Sequence, residues 1–334
     1  MNVIFLDILI LALAFLISLR GTQVAKKAAL HFGVVDKPDG NLKVHQESVP
    51  YLGGLSIYIS FLIALAVVIE FDQKVLGLLL GSTLVMLLGL LDDLKAIEPI
   101  IKILGELLAI TVLIKSGIVI DFVFLTDFQN IILTIFWVLT LTNAFNIIDI
   151  MDGLASGIAS ISVLFLAIIS YINKQYFISI LSTALLGAII GFLRYNFNPA
   201  RIYLGDSGSL FLGFILASLS MIASYSESNR LALLSPILLF GVPLFDLTYV
   251  VILRLLKKKS PFRGSKDHYA VRMRIYGIPI KRIVIFSYLI SFALGLSALF
   301  NIRLNEFQSL MLYCFVLIFF IVFGVVLSRV KVDQ

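Results

Sequence analysis

Long apolar runs separated by short polar connections recur along the whole chain of 334 residues. About 20 consecutive apolar residues form a helix that crosses the hydrocarbon core of a bilayer, and windows of that length predict eleven spans. Continuous runs favour helices over the alternating strands of a membrane barrel. The predicted spans are Val3–Leu19, Tyr51–Phe71, Val75–Leu91, Ile100–Gly117, Ile131–Ile148, Leu154–Ile172, Phe177–Leu193, Leu210–Tyr225, Leu233–Leu255, Ile283–Phe300 and Phe307–Leu327.

Composition supports this interpretation. The chain is 60% hydrophobic and 14% charged, with a mean hydropathy of +1.07, whereas soluble domains carry about 25% charged residues. There is no convincing internal repeat of the kind that marks many transporters. The single cysteine, Cys314, excludes an internal disulfide and argues against a cysteine-based zinc site. We predict an all-α, polytopic helical bundle that forms one integral membrane domain over residues 1–334.

Basic residues are concentrated on one side of the predicted membrane. Connections on that side hold 21 of the 26 Lys and Arg residues, and positively charged loops face the cytoplasm. The distribution predicts an N-terminus outside and a C-terminus in the cytoplasm. The net charge of +6 is then mostly an anchor toward anionic lipid and anionic substrate, not a sign of nucleic-acid binding.

Two adjacent carboxylates, Asp92 and Asp93, end the third span. Carboxylates are costly beside hydrocarbon, so they mark a candidate functional site; a solvated acidic helix end is the alternative. Adjacent helical side chains project about 100° apart, so one is expected to serve a metal region while the other accepts a proton or holds a lysine. Lys102 brings an ammonium to the same surface, or else only extends from a span end into the interface.

Four amide or carboxylate side chains line the end of the fifth span. Asn143, Asn146, Asp149 and Asp152 recur every three residues, which places them in one stripe if the backbone is helical. Packing alone explains such a stripe poorly. The stripe offers oxygen ligands for a hard cation and hydrogen-bond acceptors for nucleotide hydroxyls.

A Gly-Asp-Ser-Gly-Ser turn, residues 205–209, opens the eighth span. The backbone N–H groups of such a turn suit an anion or a metal-bridged phosphate. Asp206 is therefore a candidate functional carboxylate, and an ordinary helix N-cap is the alternative.

Two long loops on the basic side carry the remaining candidates. Lys43 and His45 lie in the first loop, and Arg263 and His268 lie in a loop rich in Lys and Arg. Clustered cations can neutralise a diphosphate, with His268 contacting or donating to it; a patch for lipid headgroups is the alternative. Asp246 lies inside the ninth span, where Pro243 predicts a kink, and a buried basic partner is favoured over a gate for a lipid chain.

These motifs together resemble those of the polyprenyl-phosphate N-acetylhexosamine-1-phosphate transferases, the WecA/MraY superfamily, and more closely its WecA branch. They follow in order along nearly the whole chain and on one predicted membrane face. The motifs are Lys43-x-His45 with Pro50-x-x-Gly53-Gly54, Leu91-Asp92-Asp93-x-Lys95, Asn143-Ala-Phe-Asn146-x-x-Asp149-x-x-Asp152-Gly153, Gly205-Asp206-Ser207-Gly208-Ser209 and the basic loop with His268.

The resemblance implies a reaction. A sugar 1-phosphate, that of GlcNAc or a related N-acetylated sugar, would pass from a UDP-sugar to undecaprenyl phosphate or another polyprenyl phosphate. UMP would be released, and a surface glycan such as O-antigen lipopolysaccharide would begin. The implied place is the bacterial inner (plasma) membrane, with the active site on the cytoplasmic face. Apolar interfaces between spans are compatible with a homodimer.

The resemblance also implies roles for single residues. Asp206 is expected to bind Mg²⁺, or Mn²⁺ in its place, with Asn146 as a second ligand. Asp92 and Asp93 are expected to act as catalytic residues at the lipid phosphate. The expected substrate-binding residues are Asn143, Asp149, Asp152, Lys102, Lys43, His45, Arg263 and His268.

The chain departs from the family pattern in two places. WecA-type loops read His-x-His-His, whereas this loop continues from His268 with Tyr269, Ala270 and Val271; Ile150 replaces the usual Gly after the first Asp of its motif. The loop is expected to help select the sugar, so GlcNAc or another N-acetylated sugar fits better than MurNAc-pentapeptide. The alternative function is an ion- or proton-coupled transporter, which would need ionisable groups near mid-bilayer and repeat symmetry.

Overall fold

The computed structural model describes residues 3–36, 49–68, 72–225, 229–260, 266–330 and 332. Nearly all of the ordered elements in these ranges are helices. The helices are α1 (Val3–Phe32), α2 (Gly53–Ala66), α3 (Gln73–Leu94), α4 (Pro99–Lys115), α5 (Asp127–Ile148), α6 (Leu154–Ile172), α7 (Tyr176–Asn196), α8 (Gly205–Ile222), a 3-10 turn (Arg230–Leu234), α9 (Ser235–Leu239), α10 (Gly241–Leu256), α11 (Tyr269–Ile275), α12 (Ile280–Asn301) and α13 (Glu306–Ser328). Two short strands, β1 (Val35–Asp36) and β2 (Val49–Pro50), pair antiparallel with Val35 opposite Pro50.

The predicted all-α polytopic bundle is confirmed. Among the described residues, eight helices are long and apolar enough to cross a membrane, or nine if one bent pair counts as a span. Two other predicted spans form shorter helices, since α2 has 14 residues and α4 has 17. Eleven crossings and the orientation of the termini therefore stay predictions.

The ninth predicted span is broken. The segment Arg230–Leu239 meets α10 at an angle of 74°, and the break falls at Phe240, three residues before Pro243. Pro243 thus lies in the first turn of α10, where a backbone N–H has no intrahelical partner to lose. The predicted kink exists, but Pro243 is not its position.

Helix α8 is the buried centre of the bundle, and glycines set how closely its neighbours approach. A Cβ on Gly89 of α3 would lie 2.4 Å from the carbonyl oxygen of Asp206, and one on Gly213 of α8 would lie 2.5 Å from Cα of Thr142 in α5. Such distances exclude any side chain, so small residues let these backbones pack directly. The close packing brings the polar ends of α3, α5 and α8 together.

The opposite ends of α3 and α5 begin with ordinary capping signals. Asp72 accepts a hydrogen bond from the backbone of Val75 at the start of α3, and Thr126 forms a capping box with Gln129 at the start of α5. These side chains satisfy backbone N–H groups that have no partner within the helix. The acidic residues at the far ends of the same helices need a different explanation.

Candidate functional site

A single lysine joins the carboxylates of two helices. Lys102, in the first turn of α4, donates from Nζ to Asp92 Oδ2 at 2.7 Å and to Asp206 Oδ2 at 2.9 Å. Asp92 is at the end of α3 and Asp206 at the start of α8. Both pairs are partly shielded from solvent, where an ion pair is worth more than on an open surface. Residues 92, 102 and 206, far apart in sequence, therefore form one charged cluster.

Asp93 has a different role from Asp92. Its carboxylate accepts hydrogen bonds from the backbone N–H groups of Asp206 at 2.7 Å and Ser207 at 3.1 Å. These are two of the donors that the first turn of α8 leaves without helical partners, and a negative charge there is favoured by the helix dipole. Both oxygens of Asp93 are thus engaged in holding the turn that carries Asp206.

Asn146 completes the cluster from α5. Its Nδ2 donates to Asp206 Oδ1 at 2.7 Å and to Ser209 Oγ at 2.9 Å, and its Oδ1 lies 3.4 Å from Lys102 Nζ. Asn146 and Asp206 are therefore in direct contact, while their role as joint Mg²⁺ ligands stays a prediction. Both residues present oxygen atoms to the same small volume.

Asn143 turns away from that volume toward a residue that the sequence interpretation missed. Its Nδ2 donates to Glu106 Oε2 at 2.7 Å and to the carbonyl oxygen of Leu139. Glu106 is 1% exposed, and its Oε1 has no hydrogen-bond partner among the described residues. The signal was present in the sequence: an acid inside an apolar span, four residues after Lys102 and hence on the same helix face.

The other two members of the stripe lie beyond the helix. Helix α5 ends at Ile148, so Asp149 and Asp152 occupy the α5–α6 connection. Asp152 Oδ2 accepts from Asn198 Nδ2 at 2.9 Å and from the backbone N–H of Ala200 at 3.0 Å. The predicted single helical stripe of four residues is therefore wrong for Asp149 and Asp152, because the backbone leaves the helix before them.

Asp149 is surrounded by negative charge. Burial raises the pKa of its carboxyl well above the usual value of 3.8, and the charges of Asp206, Asp93 and Asp152 raise this pKa further. The protonated form of Asp149 is accordingly stabilised in the folded chain. A cation or a hydrogen-bond donor of a ligand would be favoured here.

The acidic residues open into one cavity of about 490 Å³. That volume lies within the range of roughly 300–1,000 Å³ typical of small-molecule sites. Asp92, Asp93, Asp149, Asp152 and Asp206 all line it. Side chains that we did not predict also line it, namely Tyr51, Asn196 and Tyr203.

Asn196 shapes the cavity wall. Its Oδ1 accepts from the backbone N–H of Gly153 at 3.1 Å and from Ser156 Oγ at 2.7 Å, and its Nδ2 donates to the carbonyl oxygen of Ile202. The sequence feature that could have identified Asn196 is an amide side chain just after an apolar span. It ties the α5–α6 connection to the loop before α8.

The donor atoms present fit a magnesium ion that is shared with a phosphate ligand. Among the described residues, no three His, Cys, Asp or Glu side chains are grouped to hold a metal ion by themselves. Mg²⁺ in phosphate-transfer sites is held by one or two carboxylates, while water and substrate phosphates fill the other positions. The carboxylates of Asp206 and Asp92 and the amide oxygen of Asn146 match that requirement.

His268 is not part of the acidic cavity. Its Nδ1 lies 2.8 Å from Asp246 Oδ2, and Asp246 Oδ1 accepts from the backbone N–H of Tyr269 at 3.0 Å. His268 is 6% exposed and Asp246 is 0% exposed. This pair agrees with the prediction that Asp246 has a buried basic partner. It leaves a substrate contact by His268 without support in the geometry.

Asp267 forms a second ion-paired group beside His268. It accepts from Lys257 Nζ at 2.6 Å and from an Arg272 guanidinium nitrogen at 2.8 Å. Burial alone would raise the pKa of Asp267, but hydrogen bonds and charges from Lys257 and Arg272 outweigh it and lower the pKa below 3.8. Arg272 also donates to the carbonyl oxygen of Val330 at 2.6 Å, so this loop is fastened to the residues that follow α13.

Three predicted substrate-binding residues, Lys43, His45 and Arg263, lie outside the described residues. Their assignment stays a prediction. The described part of the site therefore consists of the carboxylates and amides of α3, α5, the α5–α6 connection and α8, together with Lys102 of α4.

Comparison with known proteins gives concordant matches. The family model of glycosyl transferase family 4 matches residues 75–224, which include all but the first two residues of α3, the whole of α5 and α8, and Lys102. A probable undecaprenyl-phosphate N-acetylglucosaminyl 1-phosphate transferase of Bacillus subtilis (strain 168) is 32% identical over 333 residues, covering 96% of this chain and 92% of the relative.

More distant relatives extend the same pattern. A decaprenyl-phosphate N-acetylglucosaminephosphotransferase of Mycobacterium tuberculosis (strain H37Rv) is 28% identical over 332 residues, covering 87% of this chain and 82% of the relative. A phospho-N-acetylmuramoyl-pentapeptide-transferase of Clostridium botulinum (strain Eklund 17B / Type B) is 31% identical over 245 residues, covering 66% of this chain and 75% of the relative.

Proposed function

The chain belongs to glycosyl transferase family 4, the family of the polyprenyl-phosphate sugar-1-phosphate transferases, and on that premise we infer that it transfers N-acetylglucosamine 1-phosphate to a polyprenyl phosphate. It is a multi-pass membrane enzyme. The relatives are named as transferases, so the transporter alternative has no support. The observation that carries the proposal is the convergence of Asp92, Asp206 and Lys102 at the edge of the acidic cavity.

The proposed donor is a UDP-sugar. A phosphate oxygen of the lipid attacks the phosphorus that bears the sugar, a new P–O bond forms, and the bond from that phosphorus to the bridging oxygen of UMP breaks. The electron pair leaves with UMP, and the product is a sugar–diphosphate–lipid. Charge that accumulates on the phosphoryl oxygens requires positive groups nearby. Lys102 can supply such a positive group, because its ammonium lies between the carboxylates of Asp92 and Asp206.

We propose Asp206, Asn146 and Asp92 as the residues that hold Mg²⁺. Bound there, the ion would neutralise charge on the diphosphate oxygens. Lys102 keeps Asp92 and Asp206 from repelling each other before substrate binds. Asp92 also faces the cavity beside Lys102, where it can orient the acceptor phosphate.

Asp93 is proposed as a positioning residue. Both of its oxygens bind the first turn of α8, so its effect on the reaction passes through Asp206. Asp149 and Asp152 line the cavity wall and are proposed to contact the nucleotide. Since the cavity opens where α3 and α5 end, on the end assigned to the basic loops, we place the reaction on the cytoplasmic face.

The test is transfer of radiolabelled sugar phosphate into lipid. Purified protein is incubated with UDP-GlcNAc, UDP-GalNAc or UDP-MurNAc-pentapeptide, Mg²⁺ and undecaprenyl phosphate, and butanol-extractable label is counted. Label from UDP-GlcNAc with stoichiometric UMP supports the proposal. Absence of lipid-bound label from every donor would overturn it, and label from another donor alone would correct the sugar.

A further inference from the structure

A second cavity of about 290 Å³ lies between the last turns of α1 and the loop that precedes α8. Three cationic side chains line it, Lys26, Lys27 and Arg201, and no acidic residue does. Within the described residues none of the three forms an ion pair. Gln23 and Tyr195 add polar groups to the same lining. Among the residues that the structure describes, the groove therefore concentrates positive charge with no acidic side chain in its lining.

The position of the groove along α1 indicates the headgroup layer. Helix α1 has 30 residues and is about 45 Å long at 1.5 Å per residue, whereas the hydrocarbon core is about 30 Å thick. Its apolar run ends before Arg20, so the turns that carry Lys26 and Lys27 extend past the hydrocarbon. Tyr195 lies at the end of α7, where interfacial aromatic residues are common.

The groove also has an apolar side. Leu30, which is 50% exposed, and Ile202, which is fully buried, line it beside the cations. A free inorganic ion has no apolar part that could contact these side chains. A phospholipid presents an anionic phosphate and the beginning of an acyl chain together, and basic pockets between membrane helices bind such headgroups.

We propose that this groove, lined by Lys26, Lys27 and Arg201, binds the headgroup of an anionic phospholipid. The site is separate from the acidic cavity, because the two share no lining residue. The proposal does not depend on the transferase function.

The loop that supplies Arg201 also forms part of the acidic cavity. Ala200 donates its N–H to Asp152, and the carbonyl oxygen of Ile202 accepts from Asn196. Arg201 itself donates its backbone N–H to the carbonyl oxygen of Tyr195 at 2.8 Å. A bound headgroup therefore holds the outer face of the same loop whose inner face positions Asp152. Lipid binding is expected to steady that wall of the cavity.

The experiment measures lipid retained by the full-length protein. Protein is reconstituted in phosphatidylcholine nanodiscs with a minor fraction of phosphatidylglycerol, released, and analysed by native mass spectrometry. The variant Lys26→Gln/Lys27→Gln/Arg201→Gln is expected to lose about tenfold or more of the retained phosphatidylglycerol. Retained phosphatidylcholine is expected to be unchanged, which shows that the variant is folded.

A matched control removes equal charge elsewhere. Arg274→Gln/Lys281→Gln/Arg282→Gln changes three exposed basic residues outside the groove and is expected to retain phosphatidylglycerol like the unmodified protein. An equal loss of phosphatidylglycerol in both variants would show that net charge causes the effect, and it would overturn the proposal. If the groove variant does not fold, the single variants Lys27→Gln and Arg201→Gln are measured, and full retention by both overturns the proposal.

Two competition arms identify the source of the phosphate. Inorganic phosphate is expected to leave bound phosphatidylglycerol in place, and displacement by it would replace the lipid assignment with a free-phosphate site. Undecaprenyl phosphate is expected to bind the groove variant as well as the unmodified protein. Loss of that binding in the groove variant would assign the groove to the acceptor lipid and overturn the proposal.

Discussion

The carboxylate of Asp93 accepts a hydrogen bond of 2.7 Å from the backbone N–H of Asp206. The last turn of α3 thereby caps the first turn of α8, and two residues that are 113 positions apart share one corner of the acidic cavity. The two neighbouring acids therefore have different roles. Asp93 binds the backbone of α8, while Asp92 accepts from the side chain of Lys102.

Asp93→Ala is expected to lower both stability and activity. It leaves two N–H groups of α8 without their acceptor, and an unsatisfied buried donor costs about 1–3 kcal/mol. Thermal unfolding in detergent measures the loss. Asp92→Asn is the comparison: we expect a smaller change in melting temperature and a larger fall in turnover. If Asp93→Ala melted normally and lost all turnover, Asp93 would be catalytic and not a positioning residue.

Asp206→Asn is expected to reduce turnover about 100-fold or more, because the variant loses the charge that faces Lys102 and the proposed Mg²⁺. The melting temperature should stay close to that of the unmodified protein. Steady-state transfer measured over a range of Mg²⁺ concentrations checks this result. Asp121→Asn makes the same chemical change at an exposed acid in the α4–α5 connection and should be fully active.

Lys102→Met is expected to lose about 100-fold in turnover, since it removes the ammonium that joins Asp92 to Asp206 and offsets charge on the phosphoryl oxygens. Lys102→Arg should recover little activity, because a planar guanidinium cannot replace a compact ammonium between two carboxylates. Lys95→Met, at an exposed position directly after α3, is the control. Comparable losses from Lys95→Met would indicate a general surface-charge effect.

Asp149 makes stability depend on pH in a defined direction. Its pKa is raised by burial and by nearby acids, so the folded chain binds this proton more tightly than the unfolded chain does. Stability is then greatest below the unfolded value near 3.8 and falls as pH rises from there toward the folded pKa. Asp149→Asn removes this penalty.

The stability gain of Asp149→Asn over the unmodified protein should therefore grow with pH and vanish in acid. Melting temperatures of both proteins between pH 4 and 8, recorded with EDTA, measure the difference. A gain that is the same at every pH would show that ionisation of Asp149 is not its cause.

Asp246→Asn is expected to destabilise the fold more than it changes the affinity for the nucleotide. The change disturbs the buried hydrogen bond between Asp246 and His268, and a buried polar group left without its partner costs about 1–3 kcal/mol. Asp246 also accepts from the backbone N–H of Tyr269. His268→Gln should lower the melting temperature likewise, with KM for the UDP-sugar nearly unchanged. A large rise in KM without loss of stability would restore His268 to the substrate site.

The apolar pattern was sufficient to predict most of the bundle, because each span must satisfy its own backbone hydrogen bonds in lipid. The pattern was weaker where helices are short or bent. Helix α2 has only 14 residues. The bend at Phe240 follows from the packing of two short segments, and Pro243 in the sequence does not indicate its position.

Residue type by itself determined which side chains are candidates for the functional site. Acids and amides beside hydrocarbon are costly, so their presence there indicates a function. Only the tertiary structure decided their partners. It assigned Asp92 to Lys102, Asp93 to the backbone of α8, Asn143 to Glu106 and His268 to Asp246. The physical reason is distance: hydrogen bonds act over about 3 Å. Which helix ends come that close depends on packing at positions such as Gly89 and Gly213, whose backbones contact Asp206 and Thr142, residues far from them in sequence.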